Sequence, residues 1–340
     1  MKKTIWRILL VLIIIVAFLF YIANKSSTAF SDKSKYFFIP SDSANISFVV
    51  ENLKSKNILK STRIFNWLAE KTSLAEKIKP GRYKIQNGMS QVEVLRLLLS
   101  GSQEPVNLVI NKFRTKEDFA RFAGRQLECD SLEIIQFLQS SDSLTRFGLD
   151  TNTAMTLIIP NTYSFFWNTS ASKMFKKLQT ENESFWNKER LDRASQLGMS
   201  VSEVYTLASI VEEETNKNDE KPIIASVYIN RLNKGMNLGA DPTVKFALRD
   251  FGLKRIRFKH IEAAAASPFN TYKHKGLPPG PICTPSIKTI DAVLSAEKTD
   301  YLFFCAKADF SGYHAFASND KEHMVNAKAF ARAQDSLKIK

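Results

Sequence analysis

The sequence predicts an α+β protein in which a larger mixed helical and β domain follows a smaller α+β unit and an N-terminal apolar helix. Three observations carry this. A chain of 340 residues, 44% apolar and 24% charged, is long enough for two cores. Between Tyr36 and about Val109, short apolar runs (Tyr36–Ile39, Tyr83–Ile85) alternate with amphipathic helical stretches at Ile46–Leu59 and Ser90–Leu99. From Asn111 onward helical periodicity dominates, interrupted late by a Gly- and Pro-rich loop over 267–285 and one apolar strand, Tyr301–Ala306. The expected layout is an N-terminus and anchor at 1–24, a tether at 25–35, a small module at 36–109 and a larger domain at 110–340.

Ile8–Ala23 is a run of sixteen uncharged residues behind Lys2, Lys3 and Arg7. As a helix it covers ~24 Å, and Trp6, Arg7 and Lys25 can extend it toward a ~30 Å hydrocarbon core. An uncleaved single-pass anchor competes with a signal peptide cut near Ser27-Thr28-Ala29. The basic cluster precedes the run, so the N-terminus stays cytoplasmic and either reading exports the rest; the long apolar run favours the anchor and hence an inner-membrane protein with an extracytoplasmic domain. The formal net charge of +14 suits anionic partners such as lipid headgroups or an acidic wall polymer, and export removes nucleic acid from consideration.

Taken in order, the helices fall at about Lys116–Glu128, Ser131–Ser140, Ser172–Leu197 and Ser200–Asn216. Ser90-Gln91-Val92-Glu93 reads as a capping box, with Gly101 closing that helix. Three scattered cysteines (Cys129, Cys283, Cys305) without C-x-x-C spacing, and four histidines without H-E-x-x-H, point away from disulfides and metal. The G-x-G-x-x-G, Walker A and G-x-S-x-G patterns are absent, which removes the usual nucleotide-binding and serine-hydrolase classes. Neither a cofactor nor a metal is expected.

The most informative helix starts with a second capping box, Ser200-Val201-Ser202-Glu203, and ends on Glu212-Glu213-Glu214-Thr215. With Leu207 at zero and ~100° per residue, Val211 falls near 40°, Val204 near 60° and Ile210 near −60°. Glu214 falls near −20°, inside this apolar arc; Glu212 at ~140° is on its edge and Glu213 at ~240° is outside. A carboxyl aimed at the core has its pKa raised, as a general acid near neutral pH requires. If the helix stops earlier, all three acids are solvated. Elsewhere, Asp241-Pro242 reads as an N-cap followed by Pro at the first helical position. Asn230-Arg231 reads as a helix-surface pair, and His314 as a solvated turn residue.

These segments together resemble the YceG-like family of murein transglycosylases. The resemblance runs through Leu207–Thr215, Ala225–Leu232, Asp241–Val244, Asn270–Tyr272, Gly276–Gly280, Tyr301–Phe304, His314–Phe316 and Glu322-His323, with Pro160-Asn161-Thr162-Tyr163 upstream. Asn161, Gly239-Ala240 and Ser286 depart from the family pattern. The resemblance implies a LysM-like module at 36–109 and an activity that cuts the MurNAc–GlcNAc bond within nascent glycan strands, leaving 1,6-anhydro ends. It makes Glu214 the catalytic acid and Glu212, Asp241, Asn270, Tyr272 and His314 candidate substrate-binding residues. Peptidoglycan strands and the membrane are the implied partners, with peptidoglycan synthases as candidate neighbours. A hydrolytic muramidase assisted by Asp241 and a catalytically silent peptidoglycan-binding scaffold are the alternatives.

Overall fold

In a computed structural model the chain divides into two units, one built from 1–108, 126–129 and 164–170, the other from 109–125, 130–163 and 171–340. The structure describes residues 2–71 and 77–336, apart from the side chains at 2–4, 19, 22 and 71. Met1, residues 72–76 of the expected small module and 337–340 of the expected catalytic domain lie outside the described residues. The first unit also takes in two short segments, 126–129 and 164–170, that the sequence assigns to the larger domain.

The first unit runs α1 (Lys2–Asn24), β1 (Ser34–Ile39), α2 (Ile46–Ser55), α3 (Arg63–Lys71), β2 (Gly81–Gln86) and α4 (Gln91–Ser100), ending at β3 (Val106–Val109). Strands β1 and β2 pair antiparallel, Ser34 opposite Gln86 through Ile39 opposite Gly81. Period-2 alternation sends Phe37, Ile39, Tyr83 and Ile85 to one face, where they pack on Val49, Leu53, Phe65, Val94 and Leu98. The Ser90 capping box is formed and Gly101 closes α4 at φ 70. Helix α1 leaves its described apolar side chains exposed, Trp6 and Phe20 among them. Among the described residues no helix is long and apolar enough to cross a membrane; side chains are described without a break only over 5–18, a stretch of ~21 Å.

Beyond β3 come α5 (Lys116–Gly124), α6 (Ser131–Gln139), α7 (Ser141–Thr145), β4 (Thr162–Phe165), α8 (Ala171–Phe185), α9 (Lys188–Gln196), α10 (Val201–Glu214) and α11 (Lys221–Asn233). They are followed by α12 (Asp241–Leu248), α13 (Phe258–Ala263), α14 (Ile287–Leu294), β5 (Phe303–Ala306), β6 (His314–Ala317) and α15 (Asp320–Ser336). The helix expected over Ser172–Leu197 is two, because Asn187 accepts a hydrogen bond from Arg190 N and starts α9 afresh. The helix expected to reach Glu128 stops at Gly124, where a Cβ would lie 2.4 Å from Ser131 N.

Helix α10 is the centre of the second unit and packs against α9, α11, α12 and α14. Every residue from Val204 to Val211 is buried, so the helix has no solvent face over these two turns. Its polar groups are satisfied internally: Tyr205 OH donates to Ile158 O at 2.6 Å, and Ser209 Oγ donates to Thr206 O while accepting from Ile282 N. The latter bond lays the 280–284 loop along α10. Gly280 fixes how closely that loop approaches Asn152, since a Cβ there would sit 2.2 Å from the Asn152 carbonyl oxygen. Gly280→Ala is therefore expected to cost about 1–3 kcal/mol through overpacking against backbone, measured by chemical denaturation; an unchanged midpoint would show that the loop has slack.

Candidate active site

Three consecutive carboxylates end α10, and the structure gives each a different environment. Glu212 accepts from Lys221 Nζ at 3.1 Å, from Ser286 Oγ at 2.9 Å and from Thr289 Oγ1. Lys221 is itself buried and also donates to Thr289 at 2.7 Å. Burial works to raise the Glu212 pKa, but Thr289, Lys221 and Ser286 outweigh it and hold the group below its ordinary value. Glu213 is gripped by Arg114, through Nε at 3.2 Å and Nη2 at 2.9 Å, and by Lys112 at 3.0 Å. Burial again pushes upward, and the two cations again prevail. The expectation that Glu213 lies solvated on an outer face is wrong. Its side chain is 13% exposed, because a helix surrounded by neighbours has no outer face to offer.

Glu214 differs in kind. Its Oε1 accepts from Tyr228 OH at 2.6 Å, a neutral donor on α11 that is itself buried. Burial is the largest influence on Glu214; the Tyr228 bond opposes it, the Asp241 charge adds to it, and Lys245 and Arg231 act weakly against it. The result is a carboxyl pushed up to about 7. The residue is partly accessible although protein crowds it closely. A carboxyl raised to about 7 keeps a substantial acid form near neutral pH.

Around it the structure assembles a supporting layer. Tyr272 OH donates to Asp241 Oδ1 at 2.6 Å, fixing the carboxylate whose field acts on Glu214. Asp241 is the first residue of α12 and Ala240 its cap, so the N-cap reading of Asp241 is one residue out; its side chain is committed to Tyr272 instead. Arg231 clamps two backbone carbonyls, Leu302 O at 2.6 Å and Leu238 O at 2.5 Å, while Asn230 Nδ2 donates to Thr299 O and Tyr301 O. The pair read as surface decoration thus ties α11 to the start of β5. Thr243 and Thr271 share a hydrogen bond of 2.8 Å under the α12 N-terminus.

Asn270 is fully buried and serves as a bracket: Nδ2 donates to Ile261 O and Oδ1 accepts from Tyr272 N. It orders the turn carrying Tyr272. His314 begins β6, opposite Ala306, with its backbone N–H and Nδ1 both on the buried carboxylate of Glu220, at 2.7 and 3.0 Å. It is therefore no solvated turn residue; its partner Glu220 lies 94 positions earlier in the chain and is invisible in the local Ser311–His314 pattern. Of the expected residues, Glu214, Asp241 and Tyr272 form one constellation, whereas Glu212 belongs to the ion pair beneath it. Tyr228, Arg231 and Lys245 were not anticipated; an apolar helix carrying one tyrosine gave no sign that its hydroxyl meets a carboxyl.

The sequence profile of the YceG-like family matches residues 37–329. The chain belongs to the YceG-like family. It is 29% identical over 301 residues to an endolytic murein transglycosylase of Bacillus subtilis (strain 168), covering 84% of this chain and 81% of that protein. A protein of the same name from Streptococcus pneumoniae (strain ATCC BAA-255 / R6) is 26% identical over 322 residues, and the match spans 56% of its length. The crystal structure of a yceG-like protein from Listeria monocytogenes superposes with a TM-score of 0.56 at 27% identity, covering 87% of this chain and 99% of that one. Within this YceG-like chain the three departures have local accounts. Ser286 supplies Glu212 with a donor, Asn161 Oδ1 accepts from Thr162 N on the surface, and Gly239 takes φ 59 against Arg231 and Tyr272.

The contrast between neighbours yields a stability prediction. Glu213→Gln leaves Arg114 and Lys112 without their anion and should cost about 1–3 kcal/mol at neutral pH. Its native pKa is depressed, so this loss is complete above the unfolded value of about 4.3 and fades as pH falls through the folded value. Glu214→Gln should behave oppositely. The native state holds that proton more tightly than the unfolded chain, so the wild-type penalty grows as pH rises from about 4.3 and levels off above about 7. Urea midpoints at pH 5 and pH 8 check both: the glutamine variant at 214 should gain on wild type between them, and a parallel loss by both variants would contradict the assignment.

Proposed function

We propose that the chain is an endolytic murein transglycosylase that cleaves the MurNAc–GlcNAc bond inside glycan strands and leaves 1,6-anhydro-MurNAc ends. The observation that carries this reading is the partition of carboxylates in α10: two are held below the ordinary value by cations, and Glu214 alone of the three is pushed up to about 7. With Oε1 engaged by Tyr228, the acid proton resides on Oε2 and is delivered to the glycosidic oxygen as the C1–O bond breaks. The oxocarbenium-like sugar is captured by its own C6 hydroxyl oxygen. Glu214, now a carboxylate, takes the hydroxyl proton and is regenerated, so no water is consumed and no second catalytic carboxylate is required. Asp241 acts on Glu214 through its field, held in place by Tyr272. The names of the relatives support the substrate class.

The same reading places the protein at a membrane. The uncharged run Ile8–Ala23 behind three basic residues falls within a helix of 23 residues, ~35 Å long. The order β1, α2, α3, β2, with the two strands paired antiparallel, supports a LysM-like small module. Anchoring would hold the site near newly made strands and bring it beside peptidoglycan synthases.

Mass spectrometry of strands digested by the full chain decides the chemistry: anhydro ends are expected, whereas reducing ends would establish hydrolysis and intact strands a non-catalytic role. Glu214→Gln should lower kcat/KM by ~10²–10⁴. The pH profile gives a finer test. Activity should decline as pH rises past about 7, because the acid form is lost. Tyr228→Phe removes a bond that favours the ionised carboxylate and should move this alkaline limb upward. Asp241→Asn removes a neighbouring negative charge and should move it downward. Shifts of the same sign in both variants would contradict the proposed electrostatics.

A further inference from the structure

The segment 254–259 contributes four cationic side chains, Lys254, Arg255, Arg257 and Lys259, to one open cleft of about 820 Å3. Asp241 and His314 line the same cleft, so it adjoins the Glu214 constellation. All four cations are exposed, and among the described residues none makes an ion pair. Elsewhere in this unit several cations are matched: Lys112 and Arg114 with Glu213, Lys221 with Glu212, Arg190 with Asp291. A surface kept soluble by charge intersperses the two signs, because like charges crowded together repel. Here four positive groups within six residues face a concavity whose acidic lining is Asp241, already held by Tyr272. Low-dielectric walls focus such a field, and the group it favours is an extended anion lying along the cleft.

We propose that this wall recognises the carboxylates of the acidic stem peptides borne by the glycan strand. The inference rests on the reading of the chain as a peptidoglycan-cleaving enzyme. The amide-substituted sugar rings are neutral, so the charge that a basic wall can read on a substituted strand is that of the peptide carboxylates. The wall selects peptide-bearing strands and fixes their register, which places a glycosidic oxygen against Glu214.

The test uses the full chain in detergent micelles carrying Glu214→Gln, so that strands bind without being cut. Its partner adds Lys254→Gln, Arg255→Gln, Arg257→Gln and Lys259→Gln, all exposed positions, with the thermal unfolding midpoint as the folding control. Three probes are compared: strands with stem peptides, the same strands with carboxylates converted to amides, and strands stripped of their peptides. Removing the four charges should weaken binding of stem-bearing strands about tenfold at low salt, an effect that shrinks as salt screens exposed charges. Binding of the amidated strands should change little between the two proteins. A second variant, Arg257→Glu with Lys259→Glu, should weaken stem-bearing strands as well while leaving the amidated ones. Equal losses on stem-bearing and amidated strands would overturn carboxylate recognition, and equal losses on stripped strands would overturn the stem peptide as its source. No loss on any probe would overturn the wall itself. Failure of the wild-type chain to cut any strand would instead bring down the functional reading on which the inference rests.

Discussion

The structure depends on one constraint: a helix buried on every side ends in three consecutive carboxylates. The C-terminal turn of a helix is where anions are least favoured, since unpaired carbonyls and the helix dipole already concentrate negative charge there. Burying an unpaired carboxylate is worse still. Each acid must therefore find cations or keep its proton. Glu212 recruits α11 through Lys221 and α14 through Thr289 and Ser286, and Glu213 recruits the 112–114 segment. Glu214 is given a phenol. A sequence that breaks a local rule so openly has a reason elsewhere, and here the reason is the third residue.

The surroundings of Glu214 are built to stay put. Arg231 and Asn230 spend their donors on backbone carbonyls from 299 to 302 and at 238, and Asn270 brackets the turn that carries Tyr272. Gly239 takes the left-handed backbone, φ 59, that the turn beside Arg231 and Tyr272 requires. These interactions hold Asp241 still, which matters because its effect on Glu214 is a field effect and varies with distance. Rigid second-layer bonding of this kind is what lets a single carboxyl keep a raised pKa while remaining accessible.

Much of this was legible in the sequence and some was not. Capping chemistry is local, so Ser90, Gly101 and Ser200 announced the ends of α4 and the start of α10. The angular position of Glu214 was also sound, because the same turn geometry holds in any helix. The reading of Glu213 failed because it assumed one buried face, and nothing in fourteen residues reveals that four other helices surround them. His314 and Asn230-Arg231 were misread for a related cause: their partners lie 94 and about 70 positions away in the chain. Asn187 is an Asx cap inside an otherwise helical pattern, and periodicity averages across such a break. The carboxyl that burial raises could be located from pattern, whereas the groups that tune it are brought there by tertiary structure.

The account stands or falls on the protonation state of one carboxyl, which can be observed without substrate. Carbon-13 labelling of glutamate side chains, with assignment by single Glu→Gln variants, allows the carboxyl resonances of 212, 213 and 214 to be followed across pH in the folded full chain. The account predicts that the Glu214 signal titrates near 7 while those of Glu212 and Glu213 titrate below the ordinary carboxylate value. A Glu214 signal that titrates at or below about 4.3, alongside its neighbours, would contradict it.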